Sequence, residues 1–192
     1  MKSKRENENK RNEILTVANG ITLFRMIGTV GLFFLSPSSA PFLWIYTFTG
    51  LTDVLDGWIA RRTKTTSKFG ATLDSIADLL FYAVMLIKIL PVLWERLPKI
   101  IWCVVAVILL IRLASYTVAA IKFRRFAAVH TYLNKVTGFS VFLLPYALLL
   151  SWEGVYSWIV CALALFSSLE ELLIHLSRKE YPADAKTIFN KK

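Results

Sequence analysis

Six apolar runs, each long enough to span or nearly span a bilayer, fill most of the chain and leave only short polar stretches between them. They lie near Val17–Leu35, Pro41–Ala60, Phe69–Leu93, Pro98–Ile121, Val136–Ser151 and Val155–His175, the fifth being the shortest. In hydrocarbon a chain must satisfy its own backbone hydrogen bonds, so runs of this kind are read as helices. The expected fold is an all-α integral membrane protein with six transmembrane helices. A 56% hydrophobic content with only 19% charged residues excludes an ordinary soluble domain. Residues 1–16 and 177–192 read as basic tails flanking one six-helix domain, 17–176, without internal repeats or low-complexity segments.

The loop charges orient these helices. Counted along the chain, tail, loops and tail carry 5, 0, 4, 2, 4, 0 and 5 Lys plus Arg. This alternation puts both termini and the two basic loops, Arg61–Lys68 and Lys122–Lys135, on the cytoplasmic side. The net charge of +10 would suggest nucleic acid as the partner of a soluble protein. Here the basic residues cluster between apolar runs, so the charge points to a membrane and no nucleic acid is expected. The charged N-terminus has no apolar core, and the first apolar run contains Arg25 and no small-residue cleavage site, so no cleaved signal peptide is expected. Cys103 and Cys161 sit in apolar runs and read as small core residues.

Of five aspartates, four (Asp53, Asp56, Asp74 and Asp78) fall inside the second and third spans. A carboxylate in a membrane helix costs at least ~2.5 kcal/mol, and four together repel one another. A divalent cation offsets both terms, and all-oxygen ligands favour Mg²⁺ or Mn²⁺, as one ion or two. Spacings of three and four residues put each pair on one helix face. At ~1.5 Å per residue, Asp56 and Asp74 lie roughly 6–8 Å from the helix ends, and Asp53 and Asp78 about 12–14 Å. Gly57 and Ala60 leave room for a ligand, and Arg61 can bind phosphate bidentately. Ser67 and Lys68 precede the next helix and Gly70 sits near its start, where anions are favoured. Aspartates in membranes also occur as inert struts, and Arg25, Lys88 and Arg112 lie in spans where they could pair with them.

The run Asp53-Val-Leu-Asp56-Gly57-Trp-Ile-Ala60-Arg61, followed by Gly70, Asp74 and Asp78, resembles the signature of the CDP-alcohol phosphotransferases, D-x2-D-G-x2-A-R-x8-G-x3-D-x3-D, at every fixed position. The resemblance implies that Asp53, Asp56 and Asp74 ligate metal, with Asp78 near a second ion and acting as general base. It implies that Gly57, Arg61 and Ser67 contact the CDP-lipid, with Ala60 and Gly70 grouped with them. Asn19-Gly-Ile-Thr22-Leu-Phe-Arg25 resembles the family's entry motif, with Ile21 replacing the usual leucine, and adds Asn19 and Thr22 to the CDP-lipid contacts. The reaction implied is transfer of a phosphatidyl group from CDP-diacylglycerol to an alcohol with release of CMP, at the cytoplasmic face of the cell membrane, by what is commonly a homodimer.

The start of the motif resembles phosphatidylglycerophosphate synthases, whose acceptor is glycerol 3-phosphate. A phosphorylated acceptor needs cations, for which Arg112, Lys122, Arg125 and Lys135 are candidates; the Lys122–Lys135 stretch also reads as a topology anchor. Ser75 stands where those enzymes commonly have proline, as in serine- or inositol-type relatives, so serine, inositol (phosphate) and phosphatidylglycerol remain alternative acceptors. Two other classes place aspartates in membrane helices. A membrane prenyltransferase would lack the Gly57, Ala60, Arg61, Gly70 register. An ion or proton carrier would need a polar path through the outer halves of the second and third spans, which offer only Thr47, Thr49, Tyr82 and Lys88.

Overall fold

The computed structural model describes residues 17–63, 68–124, 129, 131–178 and 187; within them, the side chains of Val17, Ala18, Asp53, Val54, Asp56–Arg61, Thr63 and Lys68 lie outside the description. All secondary structure among the described residues is helical: α1 (Val17–Phe33), α2 (Ala40–Thr63), α3 (Lys68–Arg96), α4 (Lys99–Phe123), α5 (Tyr132–Phe142), α6 (Leu144–Leu149) and α7 (Glu153–Ser177). The chain divides into two compact units, Met1–Trp94 and Glu95–Lys192. Three helices are long and apolar enough to cross a membrane: α3 from Phe69, α4 and α7. α1 has 17 residues, and Asp53, Asp56, Arg61 and Arg62 make α2 more polar.

The expected spans coincide with these helices except at the fifth, which begins earlier, at Tyr132, and is broken. Pro145 falls in the first turn of α6. A proline has no N–H to donate back along a helix and is tolerated in a first turn, where that N–H would have no helical partner, although α3 runs on through Pro91. The Leu143 N–H closes the last turn of α5 on the carbonyls of Phe139 and Ser140. Local chemistry also sets the ends of α4 and the start of α5. Pro98, in extended conformation, precedes α4, and Arg124 ends it in the left-handed region (φ 52°, ψ 36°). Thr131 caps α5 by accepting the Asn134 N–H on its side-chain oxygen.

In the first unit α1 packs along α2, and the two approach closely at Gly28, where a Cβ would stand 3.0 Å from Thr49 Oγ1. The contact face of α1 is polar: Asn19, Thr22, Arg25 and Thr29 are all buried, at helical spacing. Its outer face is apolar, with Leu23, Phe24, Ile27, Val30 and Phe33 exposed. This inverts the order found in proteins folded in water and is what a lipid surround selects. Phe42 stacks on Tyr46 and Tyr46 on Phe81, at 6.2 and 5.6 Å between ring centres, which brings α2 beside α3.

In the second unit α7 packs against α4, α5 and α6. Its buried stripe (Ser157, Cys161, Ser168, Glu171, His175) falls at intervals of three, four or seven residues and is again polar, while Val155, Ile159, Phe166 and Leu173 are exposed. Lys122 ends the α4–α7 contact by donating to the carbonyls of His175 (3.0 Å) and Leu176 (2.7 Å), C-terminal carbonyls of α7 that have no helical partner.

Candidate active site

The aspartates fall on the two helices expected. α2 runs to Thr63 and α3 starts at Lys68, so Asp56 and Asp74 lie about 9–11 Å from those ends and Asp53 and Asp78 about 15 Å, still at matched depths. The aromatic stack gives an independent register. Asp53 stands seven residues along α2 from Tyr46, and Asp74 seven residues back along α3 from Phe81. Gly57, Ala60 and Arg61 belong to the last turns of α2, with side chains, like those of Asp53 and Asp56, outside the described set. Ser67 lies outside the described residues, and Gly70 is in the first turn of α3.

Asp74 and Asp78, one turn apart, are brought together by Arg25 of α1. Arg25 Nη2 donates to Asp74 Oδ1 at 2.7 Å and to the Asp74 carbonyl at 3.2 Å, and Nη1 lies 3.3 Å from Asp78 Oδ1. The arginine side chain is 2% exposed and the two carboxylates 46% and 45%, so the cation is behind and the acids face outward. Thr29 Oγ1 donates to the Arg25 carbonyl. Asn19 and Thr22, expected to touch the CDP-lipid, lie two turns and one turn before Arg25 on the same buried face.

Of the basic residues suspected of pairing with the aspartates, Arg25 alone does so among the described side chains. Lys88 donates to the Phe33 carbonyl at 2.9 Å, and Arg112 is paired with Glu171. Asp74 and Asp78 each keep nearly half of their side-chain surface exposed, and their hard oxygen donors suit Mg²⁺ or Mn²⁺. Among the described residues no three His, Cys, Asp or Glu side chains gather, the other half of the expected ligand set being Asp53 and Asp56.

The cations considered for an acceptor belong to the second unit. Arg112 donates from Nη1 to Glu171 Oε2 (3.1 Å) and from Nη2 to Asn134 Oδ1 (2.7 Å). Lys122 caps α7, Lys135 lies 6.0 Å from the centre of the Tyr132 ring, and Arg125 is outside the described residues. Sequence reasoning missed Glu171, Asn134 and Ser167, which surround Arg112. The signal was present: Glu170-Glu171 places two acids in an apolar run, the same anomaly that marks the aspartates.

Curated relatives agree with this picture in part. A protein of Yersinia enterocolitica named CDP-diacylglycerol--glycerol-3-phosphate 3-phosphatidyltransferase is 36% identical over 94 residues, covering 44% of this chain and 50% of its own. Proteins of the same name from Haemophilus influenzae and Pectobacterium atrosepticum are 38% identical over 89 residues and 40% over 76, covering 42% and 36% of this chain and 48% and 41% of theirs. The chain thus spans about half the length of the curated relatives it matches. No solved structure matches it significantly. The sequence pattern of the CDP-alcohol phosphatidyltransferases matches residues 15–169, most of its length, and the chain belongs to that family.

Proposed function

We propose that this protein is a membrane enzyme of phospholipid synthesis that transfers a phosphatidyl group from CDP-diacylglycerol to glycerol 3-phosphate and releases CMP. The observation that carries the reading is the pair Asp74 and Asp78, held on one helix face by a buried arginine within a family-matched segment. Asp78 accepts the proton of the acceptor hydroxyl, whose oxygen attacks the lipid-side phosphorus while CMP departs. Asp53, Asp56, Asp74 and Asp78 are the residues to hold Mg²⁺ or Mn²⁺, as two ions, which when bound neutralise charge on the diphosphate. Asn19, Thr22, Gly57, Ala60, Arg61, Ser67 and Gly70 hold the CDP-lipid.

The cations considered for the acceptor's phosphate are Arg112, Lys122, Arg125 and Lys135, all of the second unit. Glycerol 3-phosphate is favoured over the other alcohols because the relatives' names carry it. Serine or inositol phosphate is the second reading, resting on Ser75, whose Oγ donates to the Ala71 carbonyl one turn back. The protein is read as a homodimer in the cell membrane, with six spans, both termini cytoplasmic and the aspartates opening to the cytoplasm.

The test is direct. Purified protein with labelled CDP-diacylglycerol and Mg²⁺ or Mn²⁺ should release CMP when glycerol 3-phosphate is added. Serine, inositol phosphate and phosphatidylglycerol, run in parallel, should give at most a few per cent of that rate. Release with one of those alone would replace the acceptor; release with none would reject the activity.

A further inference from the structure

Arg25 engages each of its two aspartates at one oxygen. Nη2 donates to Asp74 Oδ1 at 2.7 Å, and Nη1 lies 3.3 Å from Asp78 Oδ1. The guanidinium is anchored where it stands, because Nη2 also donates to the Asp74 carbonyl at 3.2 Å and the side chain is 2% exposed. All three residues belong to the first unit, the arginine on α1 and both aspartates on α3. The cation is therefore a fixed part of the environment of both carboxylates.

This arrangement limits how the pair can ligate a metal. A carboxylate chelates an ion only by bringing both oxygens to it. An ion bonded at ~2.0–2.6 Å to Asp74 Oδ1 would stand within about 5 Å of the guanidinium nitrogen that already donates there at 2.7 Å. Two cations at that separation repel, the more so beside a side chain screened from water. Each aspartate can thus bring at most one oxygen to a metal without meeting this repulsion. The consequence differs between hard cations. Mg²⁺ demands a small, near-octahedral shell and is bound through one or two carboxylates with its remaining positions filled by water and phosphate. Ca²⁺ takes more and longer oxygen bonds and readily accepts both oxygens of one carboxylate.

We propose that Arg25 is a specificity-determining residue of the metal site, which blocks chelation by Asp74 and Asp78 and so favours Mg²⁺ or Mn²⁺ over Ca²⁺. This rests on the reading that these two aspartates ligate the metal. Arg25 acts through them, as a positioning residue, and the effect belongs to the choice of ion more than to the strength of binding.

The full-length protein in detergent, without substrate, tests it. Bound Mn²⁺ is followed by the loss of the paramagnetic resonance signal of the free ion, and Mg²⁺ and Ca²⁺ are titrated as competitors. Wild-type protein should give up Mn²⁺ to Mg²⁺ at a lower concentration than to Ca²⁺. Arg25→Lys keeps the positive charge but releases at least one of the two oxygens, and it should shift the ratio of the two affinities at least tenfold towards Ca²⁺. Arg25→Gln should shift it in the same direction. An unchanged ratio in Arg25→Lys overturns the proposal, as does an equal loss of affinity for both ions, which is what a merely structural role gives. If neither variant folds, the wild type still decides, because tighter binding of Ca²⁺ than of Mg²⁺ overturns it. Wild-type protein that binds Mn²⁺ no better than Asp74→Asn would reject the metal reading and this proposal with it, whereas binding with an unchanged ratio rejects only the role of Arg25.

Discussion

Arg25 and Asp74 meet at 2.7 Å across two helices that are 49 residues apart in sequence at the point of contact, and the same guanidinium reaches Asp78 at 3.3 Å. Lysine carries the same charge but not the two-pronged donor geometry, so it cannot hold both carboxylates. Arg25→Lys should lower CMP release at least tenfold. Arg25→Ala should also lower the melting temperature, by more in EDTA than in saturating Mg²⁺, because metal at the proposed site would take over the charge compensation. Equal losses in both conditions would remove this role from Arg25.

Asp78→Asn keeps the shape of the side chain but removes the proposed proton acceptor. Turnover should fall by about 10²–10⁴. The variant should still fold and bind CDP-diacylglycerol, measured by protection from thermal unfolding. Turnover near the wild-type rate would reject Asp78 as the base.

Gly28 marks a close approach of α1 to α2, where an added Cβ meets Thr49 Oγ1 at 3.0 Å. Small residues at such crossings let membrane helices pack backbone to backbone. Gly28→Leu should destabilise the protein by about 1–3 kcal/mol, as overpacking does, and Gly31→Leu, whose Cβ meets nothing within 4 Å, by much less. Detergent melting curves of the two variants make the comparison.

The orientation of the spans can be read with single cysteines in a background where Cys103 and Cys161 are serine. Ser38→Cys, between α1 and α2, should react with a membrane-impermeant maleimide in intact cells. Arg124→Cys, at the end of α4, should react only after permeabilisation. The reverse pattern would invert the topology inferred from the loop charges.

Much of this architecture is legible in the order of residues alone. Charge inside apolar runs marks the aspartates, and the 3.6-residue period puts Asp74 and Asp78 on one face. The helix limits follow the apolar runs to within a few residues, apart from the fifth. There the apolar composition continues through Leu144-Pro145, where α5 gives way to α6. The partners of the membrane arginines are not legible in this way. Arg25 and Arg112 are equally basic residues in equally apolar runs, yet one pairs with aspartates and the other with Glu171, 59 residues away. A buried charge announces that it needs a partner; choosing among several acids depends on which helices pack together.

The polar inner face of α1 has a consequence for how the protein is made. Arg25 enters the bilayer at a cost of about 2.5–3.5 kcal/mol unless something neutralises it. Its partner Asp74 leaves the ribosome 49 residues later, which at ~5–20 residues per second is a delay of roughly 2–10 s. Through that interval the ion pair between Arg25 and Asp74 cannot form.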